Sequence, residues 1–365
     1  MADSLGFAPD RAIRCREFPI GCIGAGFIMA DVHLAAYAKA GFAVTAIASR
    51  SPDKAAAVAA RWEIPTIHAT PEDLIRDPGV VVLDIAYPPD QQPGLIALAC
   101  EQPHIKAILA QKPLAMDYAA AKAVVEDCER AGKPLSVNQN MRFDQSMRVL
   151  KQILDAGSLG TPVIATIEMR AIPHWQPFLA DYDRLTFLNM SIHHIDVLRH
   201  LFGEVETIYC AARPDPRTEF AHTDGIVAST LRFASGMLAV SLEDVWSGPR
   251  AEGFASDIYI RWRVEGTDGV ATGTIGWPDY PDGSPSTLRY ASIRDTGGAW
   301  AAPTWDTMWF PDAFAGVMEQ AQFALRDGAP PELSGRDNLG TMALIEAGYR
   351  SMATGAAVRP ADMTG

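Results

Sequence analysis

The chain has 365 residues, and its 31 Lys and Arg against 44 Asp and Glu give a formal net charge of −13. At about 150 residues per domain this length predicts two domains, and the 48% share of apolar residues excludes a wholly disordered chain. The acidic balance argues against nucleic acid and anionic membranes as partners, and neither a membrane span nor a signal-peptide core is visible. Five scattered cysteines without a C-x-x-C pair favour a cytoplasmic protein with reduced thiols.

The first 140 or so residues alternate between short apolar strands and helical stretches. Strands are predicted at Phe18–Ile23, Phe42–Ser49, Val80–Ala86, Ile105–Ala110 and Leu135–Asn138. Helices are predicted between them at Phe27–Ala40, Pro52–Trp62, Pro89–Glu101 and Asp117–Ala131. Because a β-α-β-α order requires a parallel sheet with crossover helices, residues 1–142 are predicted to form a Rossmann-type, doubly wound α/β domain.

Strand patterns dominate the rest of the chain. Short strands are predicted at Val163–Met169, Val205–Ala212, Ile226–Phe233, Met237–Leu242, Ile258–Glu265, Val270–Thr274 and Leu288–Ile293. Turn pairs such as Ser235-Gly236 indicate hairpins and hence a largely antiparallel sheet. Helices are predicted at Gln145–Ala156, Leu188–Phe202, Ala313–Arg326 and Asn338–Thr354. Residues 143–365 are therefore predicted to be an α+β domain with a large, mostly antiparallel open sheet, whose last helices could pack back on the first domain.

A glycine pair follows the first predicted strand. Gly24 would permit a tight turn, and Gly26 would let the backbone approach a pyrophosphate at the helix N-terminus. Met29 stands where the G-x-G-x-x-G pattern has its third glycine or alanine, so the helix should pack slightly farther from the strand. The broken pattern alone could mark only a tight turn, but its βαβ context favours a dinucleotide site.

Ser49 and Arg50 end the second predicted strand, where an NAD site usually places Asp or Glu for the ribose hydroxyl. A hydroxyl and a guanidinium can instead bind the 2′-phosphate of NADP. The alternative is that Ser51 caps the next helix and that Arg50 is only solvated. We favour NADP over NAD on this pattern.

Lys112 stands at the carboxyl end of the strand Ile105–Ala110, and doubly wound folds bind ligands at that end of their strands. Pro113 restricts Lys112 to extended conformations and so fixes where the side chain starts. The alternative is an ordinary surface lysine in a loop.

The helix Leu188–Phe202 carries a polar stripe beside its apolar face, formed by Asn189, His193, Asp196 and His200. Such a stripe is either a solvent face or part of a site. Adjacent histidines such as His193 and His194 point about 100° apart on a helix, and no further cluster of ligands is evident. The sequence therefore predicts no metal.

Five motifs occur in order and at familiar spacing. They are Gly24-Ala25-Gly26, Tyr87-Pro88-Pro89, Gln111-Lys112-Pro113-Leu114-Ala115, the run from Asn138 to Phe143 and the run from Asn189 to Gly203. Together they resemble the glucose–fructose oxidoreductase, inositol dehydrogenase and rhizopine-catabolism (Gfo/Idh/MocA) family of NAD(P)-dependent sugar and cyclitol oxidoreductases. The resemblance covers nearly the whole chain and implies that Lys112 is catalytic and that His193 is the acid–base residue. Gln111, Asn189 and Gln92 depart from the glutamate, aspartate and histidine that the family often has there.

Position and resemblance together give a wider set of expected site residues. Cofactor contacts are expected from Gly24, Gly26, Phe27, Ile28, Ser49, Arg50, Tyr87, Pro88, Gln111, Lys112 and Asn140. Substrate contacts are expected from Asn189, Arg142, Gln139, Asp196 and Trp175. Trp175 could stack on a sugar, although packing in the core or at a subunit interface is the more usual role of tryptophan.

These features predict an enzyme that transfers a hydride between NAD(P), with NADP favoured, and a hydroxyl or carbonyl group of a sugar, cyclitol or sugar acid. His193 would handle the proton, since imidazole titrates near neutral pH, and Lys112 would stabilise the developing alkoxide. The resemblance implies a homodimer or homotetramer that pairs through the open sheet face. Two alternatives stay open, namely an NAD-dependent glycosidase of the same fold and an NAD(P)-binding regulator without activity.

Overall fold

The computed structural model describes residues 6–170, 177–244, 258–276 and 283–364. The chain divides into two compact units. The parallel-sheet unit comprises residues 11–140 and 310–342, and the mixed-sheet unit comprises residues up to 10, 141–309 and 343 onward.

Six parallel strands form the sheet of the parallel-sheet unit, in the order β3-β2-β1-β4-β5-β6. They are β1 (Ile20–Ile23), β2 (Val44–Ala48), β3 (Thr66–His68), β4 (Val82–Ile85), β5 (Ala107–Ala110) and β6 (Leu135–Val137). Every residue of β1, β4 and β5 is buried, as expected of strands that helices cover on both faces. The strand order reverses between β1 and β4, the point at which doubly wound sheets bind ligands. The predicted Rossmann-type sheet is confirmed.

Helices connect these strands. They are α1 (Leu34–Ala40), α2 (Pro52–Trp62), α3 (Pro71–Ile75), α4 (Gln92–Glu101) and α5 (Tyr118–Arg130). A π-helical turn, Ile28–His33, precedes α1. Met29, in the third position of the glycine pattern, is completely buried within this turn.

Eight strands form the sheet of the mixed-sheet unit, in the order β14-β13-β12-β11-β7-β10-β9-β8. They are β7 (Pro162–Arg170), β8 (Val205–Arg213), β9 (Ile226–Phe233), β10 (Leu238–Asp244), β11 (Tyr259–Gly266), β12 (Gly269–Ile275), β13 (Thr287–Ser292) and β14 (Trp300–Ala301). All neighbours in this sheet pair antiparallel except β7 and β10, which pair parallel. The predicted, mostly antiparallel open sheet is confirmed.

The remaining helices complete the two units. They are α6 (Gln145–Asp155), α7 (Ile192–Phe202), α8 (Ile293–Thr296), α9 (Ala313–Asp327) and α10 (Gly335–Thr354). In the mixed-sheet unit, α6 packs on β12 and β13, and α7 packs on α6 and β10. In the parallel-sheet unit, α9 packs on α1, β5 and β6. In the described ranges, no helix has the length and apolar character of a membrane span.

Candidate active site

The loop after β1 has the shape that a pyrophosphate requires. Gly24 has a φ of +115°, and a Cβ placed there would lie 2.5 Å from the carbonyl oxygen of Ala86. Any side chain at Gly24 would therefore collide with the backbone that follows β4. A Cβ at Gly26 would meet nothing within 4 Å, so the loop presents bare backbone beside the first turn of the helix. Such a turn offers N–H donors to a phosphate, and the loop therefore fits a dinucleotide.

Ser49 and Arg50 lie at the end of β2 beside two residues that follow β4. The Arg50 guanidinium donates a hydrogen bond of 3.2 Å to Gln91 and lies 5.3 Å from the centre of the Tyr87 ring. Ser49 is buried, and its hydroxyl accepts a hydrogen bond from the backbone N–H of Ser51. Ser51 is also the N-cap residue of α2, although its side chain makes no capping hydrogen bond. Arg50 is exposed but held in place by its neighbours.

Lys112 lies two residues beyond β5, at the carboxyl edge of the parallel sheet, as predicted. Its backbone N–H donates to the side-chain oxygen of Gln111 at 2.9 Å, and its bond to Pro113 is cis. Burial lowers the pKa of Lys112 from 10.5 to about 8. A lysine with this pKa is mostly protonated at neutral pH but can exchange its proton within the physiological range.

Buried polar side chains hold the end of β6 in the parallel-sheet unit. Asn138 donates from its amide to Nε2 of His33 at 3.0 Å, and Nδ1 of the same ring donates to Asp84 at 2.8 Å. The His33 ring therefore bridges Asn138 and Asp84. Asp84 also accepts a hydrogen bond of 2.7 Å from Tyr37. Local sequence patterns do not predict this network, because nothing local links the turn before α1, strand β4 and the residue after β6.

Gln139 and Asn140 follow directly. Gln139 is only 2% exposed, and among the described residues neither atom of its amide has a hydrogen-bond partner. Asn140 donates from its amide to the carbonyl oxygen of Asn138. A buried amide without partners costs free energy, so Gln139 is a residue that a bound ligand could satisfy.

In the mixed-sheet unit, a buried carboxylate anchors the segment that leads into α7. Asp224 accepts hydrogen bonds from the backbone N–H groups of Leu185 and Phe187, at 2.7 and 2.8 Å, and from the hydroxyl of Tyr349 at 2.8 Å. Burial raises the pKa of Asp224 above its usual range. Phe187 begins the π-helical turn Phe187–Ser191 that precedes α7, so Asp224 fixes the start of the helical segment.

His193 and His194 point in different directions, as their helical spacing predicts. The His193 ring packs edge-on against Trp309, with ring centres 6.2 Å apart. His194 is completely buried and donates from Nδ1 to Glu243 at 2.8 Å. Glu243 also accepts a hydrogen bond of 2.6 Å from Ser241. His194 therefore links α7 to β10 through Glu243, whereas the His193 ring lies against Trp309.

Arg142 and Asp196, both expected to contact substrate, are paired with each other. Two hydrogen bonds of 2.6 Å join the guanidinium to the carboxylate, and the side chains are 4% and 1% exposed. Asn189 is also buried and donates from its amide to the carbonyl oxygen of Arg184 at 3.1 Å. That Arg142, Asp196 and Asn189 contact the substrate stays a prediction.

Trp175 lies outside the described residues. Within the described ranges, no three His, Cys, Asp or Glu side chains are placed to hold a metal ion.

The N-terminal and C-terminal parts of the chain both match models of known protein families. Residues 18–139 match the model of the oxidoreductase family with an NAD-binding Rossmann fold, and residues 147–272 match the GFO/IDH/MocA C-terminal domain. D-apiose dehydrogenase of Paraburkholderia graminis is 28% identical over 347 residues, which cover 94% of this chain and 90% of that protein. Inositol 2-dehydrogenase 2 of Saccharopolyspora erythraea is 33% identical over 207 residues, which cover 56% and 59% of the two chains.

A solved structure agrees with these matches. An oxidoreductase from Agrobacterium radiobacter, in complex with NAD+, L-tartaric acid and magnesium, superposes with a TM-score of 0.80 at 25% identity, covering 95% of this chain and 99% of that one. The chain therefore belongs to the GFO/IDH/MocA family of oxidoreductases, with an NAD-binding Rossmann fold in its N-terminal part.

Proposed function

We propose that the protein is an NAD(P)-dependent dehydrogenase or reductase that transfers a hydride between the nicotinamide and a hydroxyl or carbonyl group of a sugar, cyclitol or sugar acid. The similarity to proteins named apiose and inositol dehydrogenases supports this substrate class. The observation that carries the proposal is the half-buried Lys112 at the carboxyl edge of a Rossmann sheet, with its pKa lowered to about 8.

The nicotinamide supplies the hydride chemistry, and the side chains manage charge and protons. We assign to Lys112 the stabilisation of the developing alkoxide, because a largely desolvated ammonium group interacts strongly with new negative charge. We assign to His193 the transfer of the hydroxyl proton, because imidazole suits acid–base catalysis near neutral pH. Asn189, Arg142, Gln139, Asp196 and Trp175 are the proposed substrate contacts.

We propose that the residues around the 2′ position of the cofactor ribose select NADP over NAD. Arg50 lies over Tyr87 and is bonded to Gln91, so its guanidinium is already ordered for a phosphate. Ser49 adds a hydroxyl to the same turn. The described residues Ala48 to Ser51 include no acidic side chain that would select the unphosphorylated ribose.

We propose that the protein is cytoplasmic and that two copies pair through the outer face of the eight-stranded sheet, giving a homodimer or a larger homo-oligomer. Tyr209, Leu238, Val240 and Ile164 are between 37% and 44% exposed on that face. Leu238 lies directly beside Ile164 on the neighbouring strand. An exposed apolar patch of this kind is typical of an interface.

One substrate screen tests the proposed activity. Reduction of NAD and NADP is followed with aldoses, cyclitols and sugar acids, and we expect turnover with at least one of these classes. Release of a sugar from a glycoside with a cofactor that does not exchange would instead support the glycosidase. Cofactor binding without turnover across the whole panel, in either direction, would support the regulator.

A further inference from the structure

Gln92 is the first residue of α4 and is completely buried. Its side-chain amide lies against the loop that follows β5. The carbonyl oxygens of Gln111, Pro113 and Leu114 lie 2.8, 2.7 and 2.9 Å from Nε2 and share its two hydrogens. Oε1 accepts a hydrogen bond of 3.1 Å from the backbone N–H of Gln111.

These four polar contacts of the Gln92 amide lie on both sides of Lys112. Gln111 precedes the lysine, and Pro113 and Leu114 follow it, so a single amide fixes the backbone before and after the ammonium-bearing residue. The N–H of Lys112 itself is bonded to the side chain of Gln111. The loop thus has little freedom to move its lysine relative to the sheet.

We propose that Gln92 is the positioning residue of Lys112, and that its amide determines where the lysine side chain starts and how deeply it is buried. The inference rests on the proposed function only for the consequence on turnover, since the effect on the loop concerns the chain alone. Preorganised charge is effective in catalysis when its support does not move, and a displacement of about 1 Å can cost roughly a hundredfold in rate.

The chemistry of the site explains why an amide suits this position. Three carbonyl oxygens converge on Nε2, and an N–H opposes Oε1, so the residue must donate and accept at the same time. Leucine keeps the approximate volume but leaves these backbone groups without their partner. Histidine, which the family often has here, still supplies one ring N–H donor and one acceptor, and we expect it to restore part of the function.

The test uses the full-length protein with Gln92→Leu, Gln92→His and a matched control, Gln102→Leu. Gln102 lies at the other end of α4, where its amide makes a single hydrogen bond of 3.4 Å to the carbonyl oxygen of Leu98. The first measurement is the pH dependence of acetic anhydride labelling of Lys112, read by mass spectrometry, which reports its pKa without any need for activity. The second is kcat and KM for cofactor and substrate.

Burial lowers the pKa of Lys112 to about 8, and we expect the labelling midpoint of the native protein to lie there. In Gln92→Leu it should rise by at least about one pH unit, because a loosened loop exposes the amine to water. We expect kcat to fall roughly 10- to 100-fold while the KM for cofactor changes less than about twofold. Gln92→His should recover to within about tenfold of the native kcat. Gln102→Leu should match the native protein in both measurements.

Each of the other outcomes contradicts either the positioning role of Gln92 or the catalytic role of Lys112. An unchanged Lys112 midpoint in folded Gln92→Leu overturns the positioning role, whether or not kcat falls. If Gln92→Leu does not fold, Gln92→Asn takes its place, because its shorter side chain cannot reach all of these backbone groups, and an unchanged Lys112 midpoint in that variant overturns the positioning role. A shifted midpoint with native kcat keeps Gln92 as the support of Lys112 but overturns the catalytic role of the lysine, which is the proposed function. A Lys112→Met variant tests the catalytic role of the lysine independently of Gln92, since native kcat in that variant would contradict it.

Discussion

Lys112→Met should make the protein more stable and much less active. The substitution keeps most of the apolar stem and deletes the charge. In the folded protein burial lowers the pKa of Lys112 from 10.5 to about 8. This interval of 2.5 pH units corresponds to at most about 3 kcal/mol of unfavourable charge burial at neutral pH.

The sign follows from proton counting. Between about pH 8 and 10.5 the unfolded chain holds a proton that the folded chain has released, so the free energy of unfolding of the native protein rises through this window. Below pH 8 the folded state carries the full cost of the buried charge. The Met variant carries none of it, so its advantage is greatest at pH 7 and disappears as pH approaches 10.5.

The assay is urea unfolding at pH 7 and at pH 10, together with turnover and NADP(H) binding. We expect a gain of up to about 3 kcal/mol at pH 7, cofactor binding close to native, and a loss of at least about two orders of magnitude in turnover. Lys54→Met, at an exposed position of α2, is the control and should change neither quantity appreciably. Native turnover in Lys112→Met, or a stability gain that is the same at both pH values, would refute the reasoning.

The remaining predictions concern four other positions. His193→Ala should lower turnover by roughly 10²- to 10⁴-fold with little change in cofactor affinity; steady-state rates near native would assign the proton to another residue. Arg50→Ala should weaken NADP more than NAD in calorimetry, and a native protein that clearly prefers NAD would contradict the NADP assignment. Asp224→Asn should lower the free energy of unfolding by about 1–3 kcal/mol in denaturant titrations, because an amide, with one oxygen, cannot accept from all of the donors that the carboxylate serves; an unchanged transition would contradict its anchoring role. Val240→Glu should shift the species seen in analytical ultracentrifugation toward monomer, and an unaltered oligomer would move the interface elsewhere.

The sequence predicts the parallel-sheet unit well because its signals are local. Most residues of the strands β1, β2, β4, β5 and β6 are apolar. Because these strands alternate with helices, few arrangements of the sheet are possible. Strand β3 is missed, since it is an edge strand whose single apolar residue, Ile67, is exposed between Thr66 and His68, so no apolar run marks it. The position of Lys112 at a strand end is likewise local information.

The mixed-sheet unit and the supporting contacts depend on pairings that no local pattern contains. Hairpin turns indicate neighbouring antiparallel strands, but the parallel pairing of β7 with β10 joins strands separated by two others in sequence. Asp224 reaches Leu185 from 39 residues away, and Gln92 reaches Gln111 from 19 residues away. A single sequence gives their residue types but not these partners.

The ion pair between Arg142 and Asp196 has a consequence for directed evolution. Loss of either partner leaves a charge buried without compensation and typically costs about 3–5 kcal/mol, whereas replacing both with apolar residues of similar volume is often neutral. A library that varies one position at a time would therefore score each of the two as indispensable because the variants do not fold. A library that randomises both codons together would recover folded variants and so separate the requirement for folding from any requirement for binding substrate.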